Sequence, residues 1–536
     1  MNAVALSAAL AGALVEASAD TVFGIPGGGN NLDFIGAVEA AGLRFVLTHA
    51  ETPAAIMAGV YGDLTDTPAV CVVTRGPGAA SAVNGVANAL LDRQQMLLIT
   101  DAVSSADYER IAHQRIDQRA LLNPVTKWNG AVGNGDAVST ARYAISAAMS
   151  APRGPVHLDF DPTSPSTPPP APTTRAFPEG SPASADLERL TALLGAARRP
   201  VVLLGVGTRT LVEPLRALLE GSVPVLMTYR AKGVIPDSSP NAAGLLTGAT
   251  TEGPLLHAAD LIVMIGVDSV ELIPNAWPYP APVVSVSAWA DTSPYVVPQL
   301  DLVGSPEKLL AVLAEHWPAS TWPATAGNDH RDVELARLIE AGPQATDGLA
   351  PQQVVQQARA AAPADTIATV DAGAHMLPAM SLWSAEAVDE TIISSGLATM
   401  GFALPAAIAA SLARPGRRVV CFTGDGGLGM CLGELETVTR LGIPVTIVVF
   451  NDSRLSLIAI KAKPESNGGE GAIGYERIDF AAVARGYGMA AFAASTTDQL
   501  DAALSEAFAH DGPTLVDIEV DPSGYPAILA AIRGPR

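Results

Sequence analysis

The sequence predicts an α/β protein with three doubly wound parallel-sheet domains. Short β-branched runs, apolar on both faces, alternate with Ala/Leu-rich helical stretches. Glycine turns join several of these runs to the helices that follow. Two breaks, one rich in Pro and Ser and one polar, cut the chain into three blocks of similar size.

The first block opens on an apolar, Ala-rich segment with no basic start, interrupted by Glu16 and Asp20. It is expected to be an amphipathic helix rather than a signal peptide. Val70–Thr74 and Met96–Thr100 are expected strands, with a helix over the intervening AASAVNGVANALLD. Residues 162–185 are expected to be a linker without regular structure. Val201–Leu204 and Leu261–Ile265 are strands of the second block. A second break runs from about His316 to Ala350, within which Asp332–Ala341 can be helical. In the third block Val419–Phe422 and Val445–Phe450 are strands flanking a helix over Cys431–Leu441. The domains are placed at 1–162, 186–318 and 350–530. The first and third share a rhythm of strand, glycine turn and helix, with no repeat at the residue level.

Composition narrows the function. With 49% apolar and only 16% charged residues, global disorder is excluded. The 54 acids against 32 bases leave a net charge of −22, which repels nucleic acids and anionic membranes. No run of 18 apolar residues occurs, so no spanning segment is expected. Cys71, Cys421 and Cys431 fit neither a zinc spacing nor a disulfide framework, and a reducing, cytoplasmic setting is expected.

The sharpest local signal is a strand running into Gly424-Asp425-Gly426-Gly427-Leu428-Gly429. Gly424, Gly426 and Gly429 spell G-x-G-x-x-G, which alone permits a nucleotide-binding oxidoreductase. The next strand ends in Asn451-Asp452, with 24 residues between Gly426 and Asn451. In a right-handed βαβ unit the two strand ends are neighbours, so Asp425 and Asp452 should converge. Paired carboxylates beside a turn able to hold a diphosphate call for a hard cation such as Mg²⁺.

This pattern resembles the thiamine-diphosphate (ThDP) motif of the acetolactate synthase-like superfamily. Further matches follow in order: Phe23-Gly-Ile-Pro26-Gly27-Gly28, His49-Ala-Glu51-Thr-Pro-Ala-Ala55, Arg75-Gly76-Pro77-Gly78-Ala79, Gln114-Arg-Ile-Asp117 with Pro124-Val-Thr-Lys127-Trp128, and Ser395-Gly396-Leu-Ala-Thr-Met400-Gly401-Phe402. The resemblance spans nearly the whole chain and makes the three blocks pyrimidine-binding, central and diphosphate-binding domains. It implies Asp425, Asp452 and the carbonyl of Arg454 as Mg²⁺ ligands, although the family usually has Asn where this chain has Asp452. It implies Gly373, His375, Gly424, Gly426 and Gly427 around the diphosphate, Met400 as a wedge beneath the cofactor rings, and Pro26, Gly28 and Gly78 on the pyrimidine side. Ala374 replaces the family's usual Gln before His375.

Glu51 is implied as the carboxylate on pyrimidine N1′, which lets the cofactor's own 4′-amino group serve as a base. Its apolar neighbours predict a buried carboxyl with a raised pKa. Gln114 is implied at the reacting end, and His113, which replaces the family's Phe, is a candidate acid or base there.

Three features bear on the second half of the reaction. Flavin-containing members carry an F-D-D-R-like run where this chain has Val267-Asp268-Ser269-Val270-Glu271, which argues against FAD. Ser456 and Lys461 stand where acetolactate synthases usually have Gly and Trp. The first glycine turn lacks the paired histidines of simple decarboxylases. The expectation is a ThDP- and Mg²⁺-dependent decarboxylase/carboligase acting on a 2-oxo acid, a homodimer or homotetramer with sites shared between chains. A lyase of 2-hydroxyacyl-CoA or hydroxyketone substrates is the alternative within the class.

Overall fold

The computed structural model describes residues 2–170, 183–221, 223–273, 276–290, 296–342, 348–462 and 469–534. Three six-stranded parallel sheets with flanking helices form three α/β units. The first contains β1 (Thr21–Ile25), β2 (Arg44–Leu47), β3 (Ala69–Val73), β4 (Met96–Asp101), β5 (Trp128–Asn134) and β6 (Pro155–Pro165). The second contains β7 (Pro200–Leu204), β8 (Val225–Met227), β9 (Ala242–Leu245), β10 (Leu261–Ile265), β11 (Val283–Ser287) and β12 (Leu300–Val303). The third contains β13 (Ile367–Val370), β14 (Thr391–Ile393), β15 (Val419–Gly424), β16 (Val445–Asn451), β17 (Ala490–Ala494) and β18 (Thr514–Glu519). Central strands such as β3, β7, β10 and β16 are buried along their length, as parallel sheets covered on both faces require.

The first and third sheets have the same order, β2-β1-β3-β4-β6-β5 and β14-β13-β15-β16-β18-β17. Their kinship is therefore one of topology, closer than the shared rhythm expected from sequence. The second sheet, β12-β11-β10-β7-β8-β9, has the classic dinucleotide-fold order instead. In the first and third, chain direction switches between β1 and β3 and between β13 and β15, which opens a crevice at the carboxyl ends of those strands.

Three expected boundaries shift. The Pro-rich linker starts later, because β6 continues through Pro165 and its end pairs with β5 at Asn134. Ser166 and Thr167 then donate backbone N–H groups to Asn134 and Ala131. A helix begins at Ser184, and residues 171–182 of the expected linker lie outside the described residues. In the second break the helix is longer than expected, Ala326–Glu340. The helix expected over Cys431–Leu441 starts later, at Glu434, and is preceded by a separate short helix, Asp425–Met430. The glycine turn winds directly into the short helix. The longer one starts where Gly433 packs on the His49 side chain, which a Cβ would approach to 2.9 Å.

The amphipathic N-terminal helix is present at Ala3–Glu16, burying Leu6, Leu10 and Leu14. The first and third units share one apolar core. The helix Glu51–Thr65 brings Ile56, Val60 and Leu64 against Leu404, Ile408 and Leu412 of the helix Ala403–Ala413. Buried Glu434 of the third unit accepts the N–H groups of His49 (2.9 Å) and Ala50 (3.1 Å), which fixes the start of the helix that carries Glu51. A buried ionic cluster joins all three units: Asp63 binds Arg209 and Arg230, and Arg209 also binds Asp389. Among the described residues no helix is long and apolar enough to cross a membrane.

Candidate functional site

The crevice at the carboxyl ends of β13, β15 and β16 opens into a cavity of about 380 Å³. It is lined by Gly373, His375, Met400, Gly424, Gly426, Gly427, Asp425, Asp452 and Arg454, the third-unit residues expected to hold a cofactor or metal, whereas Gly429 of the glycine turn is not among the lining residues. Asp425 accepts the Gly426 N–H at 2.6 Å, and its Oδ2 is buried without a partner among the described residues. Burial raises its pKa, against the pull of backbone N–H groups from Gly426, Ser453 and Arg454.

Asp452 is pushed up to about 7, first by burial and then by the charge of Asp425, while the hydrogen bond from Ser456 opposes the rise. The Ser456 hydroxyl donates to Asp452 at 2.6 Å. Two acids in one buried wall, one of which raises the pKa of the other, are stabilised by a cation between them. No group of three or more His, Cys, Asp or Glu side chains forms a metal site among the described residues. The metal set implied here is two carboxylates with a backbone carbonyl.

His375 is buried, and its pKa falls to about 3 because burial disfavours the imidazolium. Its ring stacks on Phe450 with centroids 5.3 Å apart, and Nε2 has no partner among the described residues. The ring reaches this position because residue 373 is glycine, where a Cβ would lie 2.5 Å from His375 Cε1. The half-buried Met400 leans on Gly426, whose Cβ would meet Met400 Cε at 3.3 Å. Orphaned acceptor atoms, a neutral imidazole and side-chain-free glycines in one wall fit a diphosphate with its divalent cation.

The first-unit residues form a separate group. Pro26 follows β1, and Glu51 opens the helix Glu51–Thr65. Gly78 is the second residue of the helix Pro77–Leu91, and a Cβ there would sit 3.5 Å from Glu51 Oε1. Gln114 takes a positive φ of 57°, and its carbonyl packs so tightly on Gly76 that a Cβ there would meet it at 2.5 Å. Gly28, His113 and Gln114 are exposed. In the single chain Glu51 is half-buried: Pro53–Met57 turn into the shared core while the first helical residue stays at its margin. None of these first-unit residues is among those lining the 380 Å³ cavity of the same chain.

Residues not foreseen from sequence hold the loop that carries Met400. Asn84, Asn88 and Asp92 run along and just past the helix Pro77–Leu91 at intervals of four. Asn84 accepts from Thr399 (2.9 Å), Asn88 from Ser394 (2.6 Å), and Asp92 from the N–H groups of Ser395 (3.0 Å) and Gly396 (2.7 Å). Asp371 anchors the other side of the loop through the N–H groups of Gly401 (3.1 Å) and Phe402 (3.3 Å). The every-fourth polar stripe in a helix whose other residues, Ser81 apart, are apolar or glycine was the available signal.

The run Val267–Glu271 folds as a capping box. Asp268 pairs with Arg93, and Glu271 accepts from Thr228 and from the N–H groups of Val206 and Asp268. The G-x-G-x-x-G turn sits in the third sheet, not in the second sheet with its dinucleotide-fold order, so the topology does not favour the oxidoreductase alternative.

Comparison with known proteins agrees with this layout. Residues 4–121, 187–313 and 371–518 match the families described as thiamine pyrophosphate enzyme N-terminal TPP binding domain, central domain and C-terminal TPP binding domain. The chain is 30% identical over 536 aligned residues to "Acetolactate synthase, catabolic" of Raoultella terrigena, covering 96% of this chain and 94% of that protein. It is 29% identical over 528 residues to "Acetolactate synthase" of Bacillus subtilis (strain 168), covering 95% and 92%. It is 28% identical over 522 residues to "Acetolactate synthase isozyme 1 large subunit" of Escherichia coli (strain K12), covering 93% and 91%.

Proposed function

The chain belongs to the thiamine-diphosphate-dependent enzymes of the acetolactate synthase-like family, and from that membership we propose that it is a Mg²⁺-dependent decarboxylase/carboligase acting on a 2-oxo acid. The observation that carries this is the third-unit cavity, where Asp425, Asp452, His375, Met400 and the glycine turn converge. When bound, ThDP supplies a nucleophilic carbon that adds to a carbonyl and holds the electron pair released as CO₂ departs.

The protein's part is binding, orientation and proton handling. Asp425, Asp452 and the Arg454 carbonyl hold Mg²⁺. Gly373, His375, Gly424, Gly426 and Gly427 line the diphosphate, and Met400 supports the rings. Glu51 holds the proton at pyrimidine N1′, with Pro26, Gly28 and Gly78 around it, while Gln114 and His113 face the substrate. In one chain the Glu51 group lies off the cavity wall, which supports a homodimer or a pair of dimers in which each site takes its first-unit half from the partner.

Asp268 and Glu271 are engaged in protein contacts, which supports activity without FAD. The buried, unpaired Cys71, Cys421 and Cys431 support a reducing, cytoplasmic setting. The test is a panel of 2-oxo acids and 2-hydroxyacyl-CoA thioesters with ThDP and Mg²⁺, measuring CO₂ release and product mass together. CO₂ with a carbon–carbon coupled product supports the proposal. Cleavage of hydroxyacyl-CoA without 2-oxo acid turnover would shift the assignment to the lyase, and no ThDP-dependent turnover would reject both.

A further inference from the structure

The cavity is not bounded by the third unit alone. Its walls also include Tyr229, Glu271 and Ile273 of the second unit and Arg533, the last residue of the helix Tyr525–Arg533. Arg533 is half-buried, and its guanidinium makes no hydrogen bond or ion pair among the described residues. The Tyr229 hydroxyl likewise has no hydrogen-bond partner among them. The two are close enough for the Arg533 charge to act on the phenol, which burial pushes up to about 12, so Tyr229 is a protonated donor at neutral pH. Apart from Asp425 and Asp452, the only acid among the cavity-lining residues is Glu271, and its oxygens are taken by Thr228 and by the N–H groups of Val206 and Asp268.

The helix also sets the distance. Tyr525, at its start, feels the charges of both Asp452 and Asp425. Eight residues at 1.5 Å each place the Arg533 backbone about 12 Å along the helix from Tyr525. The far end is pinned to the second unit, where Thr250 donates its N–H and hydroxyl to the Ile532 carbonyl at 3.4 and 3.3 Å. Arg533 therefore sits at the opposite end of this helix from Tyr525, next to a carbonyl held by the second unit.

We propose that Arg533 and Tyr229 form an anion subsite that receives a second carboxylate of the substrate. A guanidinium and a phenol converging from two units give charge-assisted and neutral donors to one carboxylate. The proposal rests on the 2-oxo acid reading and narrows it to acids with a second anionic group. A site with two such donors also discriminates against the analogue that lacks the group, because that analogue leaves them unpaired.

The test is calorimetric binding of two unreactive acids, glutarate and butyrate, to the protein loaded with ThDP and Mg²⁺. Glutarate should bind more tightly than butyrate. Arg533→Met should weaken glutarate binding by about ten- to a hundredfold, the usual worth of a charge-assisted hydrogen bond, and Tyr229→Phe by less. Butyrate and ThDP affinities should hold. Equal weakening of both acids would mean that Arg533 only serves the helix end, and a loss of ThDP affinity would mean that it serves the cofactor; either overturns the proposal. Glutarate binding no tighter than butyrate, beside turnover of simple 2-oxo acids, overturns the subsite and leaves the proposed function standing. The predicted binding pattern without any 2-oxo acid turnover does the reverse.

Discussion

Asp92 is the residue on which removal and conservative replacement should differ most. It is 2% exposed, and one oxygen accepts the N–H groups of both Ser395 and Gly396, four residues before Met400. Asp92→Ala leaves two half-buried donors without their acceptor, and with about 1–3 kcal/mol as the cost of a fully buried one, the variant should lose about 1–3 kcal/mol in all. Gly396 packs against Leu91, where a Cβ would come within 2.7 Å, so the loop cannot settle inward to compensate. Asp92→Asn keeps the accepting oxygen. It also removes a buried charge, since the Asp92 pKa is raised from 3.8 to about 6, chiefly by burial.

The sign follows from the direction of that rise. The folded state binds the proton more tightly than the unfolded state, so this group favours folding most below about pH 4 and loses that contribution as pH rises through about 6. The full span corresponds to about 3 kcal/mol. At pH 7.5 the Asn variant should melt at or above wild type, with the gap narrowing toward pH 4.5. The Ala variant should melt lower at both pH values and bind ThDP more weakly as the Met400 loop loosens. Thermal melting and ThDP titration check this. An Ala variant that melts like wild type, or an Asn variant as damaged as Ala, would refute the reasoning.

Two further outcomes concern the site itself. Glu51→Gln should cut turnover by several orders of magnitude while ThDP still binds, measured by steady-state rates beside cofactor titration. Asp425→Ala should abolish ThDP retention on gel filtration, whereas Asp452→Asn should retain it, since Asn still offers an oxygen to the metal and removes the carboxylate that Asp425 destabilises.

What could be read from the sequence follows the range of each interaction. Asp425 and Asp452 were legible because one βαβ unit separates them, and parallel pairing of β15 with β16 puts their strand ends side by side. Strand β10 matches its expected span, since an apolar five-residue run bounded by Asp260 and Gly266 allows little else. The tether from Asn84, Asn88 and Asp92 was visible only as a stripe, because its partners Ser394–Thr399 lie some three hundred residues away. Gly433, in the break at Cys431–Gly433, packs on His49 of another unit, a contact that local sequence does not reveal. The common order of the first and third sheets leaves no trace in residue identity, since a buried parallel strand asks only for apolar β-branched side chains.

The separation of Glu51 from the cavity of its own chain is tested most directly by complementation. Glu51→Ala and Asp425→Ala protomers, each inactive alone, are mixed and reassociated, with subunit exchange verified by differential labelling. Random pairing in a twofold dimer makes about half the dimers mixed, each with one site that combines an intact Glu51 and an intact Asp425. The account predicts recovery of roughly a quarter of wild-type activity, whereas sites built within single chains would recover none.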